Sequence, residues 1–152
     1  MRQEQLPIES DFYTRIGDLD GQHVWKCFGG LTLEQTREKF LEHSEFYQED
    51  FKFIRGKAIA YYFPVIEEYL KSAIDGAHRH DHSAWIPSHG IQNHFRGAHL
   101  THVRQLIPRV FALADFVLKN NDRLGYDWME RKHVAEAWEE LVQHLKSINN
   151  GA

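Results

Sequence analysis

Apolar residues recur at helical spacing through most of the chain, and no segment shows the sustained two-residue alternation, closed by turn signals, that marks a strand. The clearest start lies at Thr32, where Thr32-Leu33-Glu34-Gln35 has the form of a capping box. Leu33, Phe40 and Leu41 then share one side, while Glu34, Arg37, Glu38 and Glu42 take the other, which predicts a helix from about Leu33 to His43. Upstream, Pro7 can open a short helix carrying Ile8, Phe12 and Ile16, which Gly17 and Gly21 break. The stretch from Gln22 to Phe28 fits a helical turn and a short strand equally well.

From Asp50 the pattern turns strongly aromatic, and its apolar residues fall on both sides of a helix, which predicts a central, buried element over Asp50–Ile74. Pro64 removes a backbone donor and crowds the preceding turn, so a bend is expected near Ala60. Gly76 closes that helix, and residues 76–98 read as a histidine-rich connection with a short helix around Ile91–Phe95. Leu100 to Lys119 returns to helical spacing, with a second bend expected at Pro108. After the turn at Asn120–Gly125, Asp127 and Glu130 supply an N-cap and a third-position acid. The last helix carries Val134, Ala137, Trp138, Leu141 and Leu145. The fold class expected is all-α: one compact domain over 1–152, with five or six helices, two of them bent at internal prolines.

Composition agrees with an ordered domain. At 152 residues, 42% hydrophobic and 26% charged, the chain is long enough to bury one core and short for two. Cys27, the single cysteine, has no intrachain partner for a disulfide. The amino terminus lacks the apolar centre of a secretion signal, so a cytoplasmic location is expected. The longest apolar run, Ala58 to Ile66, is less than half the roughly 20 residues that span a bilayer, so no membrane partner is expected.

The segment Asp50-Phe51-Lys52-Phe53-Ile54, followed by Ala58-Ile59-Ala60-Tyr61-Tyr62-Phe63-Pro64-Val65-Ile66-Glu67-Glu68-Tyr69-Leu70, resembles the core of a family of small bacterial all-helical proteins of unknown function. In that family an aromatic helix ends in a Tyr-Tyr-Phe/Leu-Pro-like sequence before a second apolar turn. Val103-Arg104-Gln105, Phe116-Val117-Leu118 and Ala135-Glu136-Ala137-Trp138-Glu139-Glu140-Leu141 are similar in order to its later helices, so the resemblance covers about Leu31 to Val142. It implies a small helical domain, brings no catalytic residues with it, and favours a non-enzymatic role.

Candidate chemistry gathers in one stretch, since seven of the eleven histidines fall within His78–His102. In an extended loop His78, His80 and His82 project to one side and could converge on zinc or another divalent transition metal, with Asp81 supplying a carboxylate to the ion or orienting one of the histidines. The run departs by one residue, between His80 and Asp81, from the His-x-His-x-Asp-His motif of metallo-β-lactamase-like hydrolases. The helical pattern also lacks that family's α/β architecture. His99 and His102 would share a helix face without the acid of a His-Glu-x-x-His motif, so a surface pair is expected there. Cys27 follows His23 by four residues, close enough on a helix for imidazole to favour a thiolate, but Val24, Trp25 and Phe28 around it predict a packed hydrophobe. Asp115 interrupts an apolar helix and either faces water or needs a cationic partner such as Arg109.

Arg79, Arg96, Arg104 and Arg109, with Trp85 and Phe95 for stacking, sketch a nucleic-acid surface. A formal charge of -4 and the lack of a dense basic run argue against it. No cofactor and no catalytic residue is therefore expected. The expected function is protein–protein interaction, as an inhibitor, immunity or accessory protein, and the alternative is a metal-binding protein or metal-dependent hydrolase built on the histidine run.

Overall fold

The computed structural model describes residues 6–12, 17–42, 47, 50, 53–54, 57–74, 85–95, 104–124 and 127–150. Among these it is helical with no strand: eight α-helices and a 3-10 turn at Arg104–Leu106 are delimited, and Tyr47 and Asp50 are also α-helical and Phe53 in a 3-10 turn. The expected count of five or six is exceeded because α1 (Glu9–Phe12) and α7 (Asn121–Leu124) are single turns and residues left open or read as connection are helical.

Helix α1 drives Phe12 into the interior, where its ring meets Trp25 edge-on at 5.2 Å and lies 5.9 Å from Tyr62. Ile8, expected within this short helix, lies one residue ahead of α1 and is 62% exposed. Helix α2 (Leu19–Phe28) settles the open reading of Gln22–Phe28. Asp18 accepts from the Gly21 amide at 2.9 Å, and Val24 and Phe28, four apart, are buried together. The chain leaves α2 through Gly29 and Gly30, and Gly30 adopts φ +77, a left-handed conformation suited to glycine.

Helix α3 (Leu33–Glu42) begins as the capping box requires. The Gln35 side chain accepts from the Thr32 amide at 2.9 Å and the Thr32 hydroxyl accepts from the Gln35 amide at 3.2 Å. Helix α4 (Lys57–Ile74) runs as one element across Pro64 and buries Ala58, Ile59, Tyr62, Phe63, Val65, Ile66, Tyr69 and Leu70. It starts at Lys57 rather than Asp50, in keeping with the helix-weakening Gly56 just ahead of it in sequence. Arg37 on α3 and Arg109, later in the chain, reach it to pair with Glu68 and Glu67, and the Arg109 guanidinium lies 5.2 Å from the Phe63 ring centre.

The connection expected over 76–98 is interrupted by α5 (Trp85–His94), which is longer than the Ile91–Phe95 turn the sequence suggested. Its inner face mixes Ser88 and Gln92 with Ile91, so the apolar period is muted. Helix α6 (Ile107–Lys119) follows a 3-10 turn at Arg104–Leu106. Pro108 therefore sits in the first turn, where no intrahelical amide bond is lost, and it starts this helix instead of bending its middle. Asp115 faces water and pairs with Lys119 at 2.8 Å.

Helix α8 (Trp128–Asn150) opens with the Asp127 carboxylate accepting from the Glu130 amide at 2.8 Å. Val134, Ala137, Trp138, Leu141 and Leu145 are all buried, as their spacing predicts. It packs against α5, α6 and α7, while α4 packs against α1 and α3, and one hydrophobic cluster joins buried residues from Phe12 to Leu145.

Candidate metal centre

The donors that meet in the structure are His23, Cys27 and Asp50. Helical spacing puts His23 and Cys27 on one face of α2, with Cys27 Sγ 3.6 Å from His23 Nε2. Asp50, from the segment between α3 and α4, brings Oδ2 to 3.4 Å from the same nitrogen. All three ligand atoms lie within 4.8 Å of one another, and among the described residues no other trio of such side chains converges this way.

The nitrogen–oxygen contact is long for a strong hydrogen bond, and both contacts fall on one nitrogen. A neutral ring nitrogen either donates or accepts, so Nε2 cannot take a thiol proton and hold a carboxylate at once. A Cys-His-Asp relay would need the two partners on opposite nitrogens. The two separations are also compatible with tetrahedral zinc. Ordinary zinc bond lengths place a nitrogen and a sulfur ligand about 3.6 Å apart, and a nitrogen and an oxygen ligand about 3.3 Å apart. The observed 3.6 and 3.4 Å match both spacings.

Cys27 is partly buried and packs against the core, as its neighbours in sequence predict, yet its sulfur reaches the histidine. Burial pushes its thiol up from the ordinary range; the Lys39 ammonium opposes this and the Asp50 carboxylate adds to it. Lys39 donates to the Cys27 carbonyl and lies 5.6 Å and 5.9 Å from the ring centres of Phe28 and Tyr47. Tyr47 meets Phe28 edge-on at 5.2 Å, and its phenol is raised by burial first and then by the negative charge of Cys27, Asp50 and Glu42. A dication held by one thiolate and one carboxylate would form a neutral group.

No family model, curated protein or solved structure matches this chain.

His78, His80 and His82 lie outside the described residues, as do Asp81, His99, His102, Arg79 and Arg96. His89 is exposed on α5, its ring 6.3 Å from that of His133 on α8. Phe95 is buried and so is not available for base stacking, and Arg109 is engaged with Glu67. Sequence reasoning paired His23 with Cys27 but missed Asp50, which stands far along the chain at the edge of an apolar stretch and carries no local signal. No described helix is long and apolar enough to cross a membrane.

Proposed function

We propose that this protein binds a divalent transition ion, zinc first, through His23, Cys27 and Asp50. The match of two donor separations to tetrahedral zinc geometry carries the reading. A mixed nitrogen, sulfur and oxygen set favours zinc or cobalt over magnesium and calcium, which take oxygen ligands. Three protein ligands leave a fourth position for water or an incoming ligand, the arrangement of sites that exchange ligands.

Metal-stripped, untagged protein titrated with cobalt should take up one equivalent and develop a thiolate charge-transfer band, which zinc then bleaches. Cys27→Ala and His23→Ala should each weaken binding about a hundredfold or more, since even partners of metal ligands are worth ten- to a hundredfold. A variant with His78, His80 and His82 all changed to alanine should retain it. Loss of binding in that triple variant, with retention in Cys27→Ala, would move the metal to the histidine run and end this assignment.

A second reading, in which the chain acts by binding another protein, is favoured by Trp128 and Met129. These large apolar residues stand side by side, 66% and 63% exposed, at the start of α8. A protein captured by the wild type and lost with the Trp128→Ala, Met129→Ala variant supports it; identical captured sets would refute it.

A further inference from the structure

We propose that Cys27 is a site of reversible oxidation by hydroperoxides and that its oxidation expels the metal, an inference that rests on the metal-binding reading above. Cys27 supplies the sulfur of the three-donor set, so one chemical event at one atom changes both the charge and the donor strength of the site. The cluster opens toward solvent at His23, whose side chain is 57% exposed, and Cys27 itself is only partly buried. A molecule as small as hydrogen peroxide can reach the sulfur from that side. The Asp50 side chain is 19% exposed.

The oxidation step needs no group from elsewhere in the chain. The thiolate sulfur attacks the distal oxygen of the hydroperoxide, an S–O bond forms as the O–O bond breaks, and hydroxide, or the alkoxide of an organic hydroperoxide, leaves and is protonated by solvent. Sulfur gives up the two electrons that the peroxide gains, and Cys27 becomes a sulfenic acid. A neutral sulfenic acid replaces an anionic thiolate, leaving His23 and Asp50 as a two-ligand site too weak to hold the ion. Cys27 is the chain's single cysteine, so the sulfenic acid has no resolving thiol within the same chain. An external thiol must condense with it, releasing water, and a second thiol must then restore Cys27 by exchange. The site would thus report peroxide as metal release and be reset by the thiol pool.

The test uses zinc-loaded full-length protein treated with hydrogen peroxide, with zinc release followed by a chromophoric chelator and sulfenic acid trapped by dimedone for peptide mass analysis. One zinc per chain should be released in step with labelling of Cys27, and dithiothreitol should restore binding in untrapped samples. Cys27→His keeps three donors without sulfur and should hold its zinc under the same treatment. Zinc retained while Cys27 is labelled, zinc released without Cys27 labelling, or equal release from Cys27→His would each overturn the proposal. Protein that holds no zinc before peroxide is added would instead remove the metal-binding reading, and this inference with it.

Discussion

Trp138→Ala should lower stability by about 3–5 kcal/mol, the range for emptying an aromatic position in a packed interior. The Trp138 side chain is completely buried in the middle of α8 and belongs to the hydrophobic cluster that runs from α1 to α8. Its neighbour Ala137 offers its carbonyl to the Ser88 hydroxyl of α5 at 2.8 Å, and Gln92 reaches Glu140 at 3.4 Å. The cavity would therefore open beside a seam of polar contacts that depend on α8 holding its place. Denaturant unfolding followed by far-ultraviolet dichroism checks this, with Trp128→Ala as the control. Trp128 is 66% exposed, so its loss should change stability by less than about 0.5 kcal/mol. Similar midpoints for the two variants would show that α8 is not seated as described.

Tyr62→Phe should cost about 1–3 kcal/mol and weaken metal binding severalfold at the same time. From the buried middle of α4, the Tyr62 hydroxyl reaches the Phe28 carbonyl at 3.0 Å and the Leu31 carbonyl at 3.1 Å. Phe28 also accepts from the Leu31 amide at 3.2 Å, so the substitution removes the phenolic contact that Leu31 shares. These carbonyls flank the Gly29–Gly30 turn, which sets the end of α2, where Cys27 lies, against α3, whose last turn carries Lys39. Paired denaturant and zinc-competition measurements test the link. A loss of stability with unchanged zinc affinity would mean that the turn does not position Cys27.

Helix starts were the most legible features of the chain, because a cap is a local device. Thr32 with Gln35, and Asp127 with Glu130, form the bonds their spacing predicts. The inner face of α8 was equally plain, since Val134, Trp138, Leu141 and Leu145 keep helical spacing and have polar residues between them. Helix α5 was obscured because Ser88 and Gln92 take buried positions that periodicity assigns to apolar residues. Ser88 is satisfied by a backbone carbonyl of α8 and Gln92 by a side chain there, partners invisible from residues 85–95 alone. Pro108 was misread because the boundary between the 3-10 turn and α6 has no side-chain cap to mark it.

The same division holds for the candidate site. Four-residue spacing on an amphipathic segment is enough to place His23 and Cys27 on one face, because the helix repeat alone determines it. Asp50 has no such local relation to either, and only the packing of the chain between α3 and α4 against α2 brings its carboxylate to the same nitrogen. By itself the sequence determined the helical class, the two capped helix starts and the buried face of α8, each through interactions between residues a few positions apart. Tertiary structure alone decided which polar residues α5 could bury and which third donor would meet His23 and Cys27, because hydrogen-bond partners and metal geometry depend on distances in space that residue spacing does not encode.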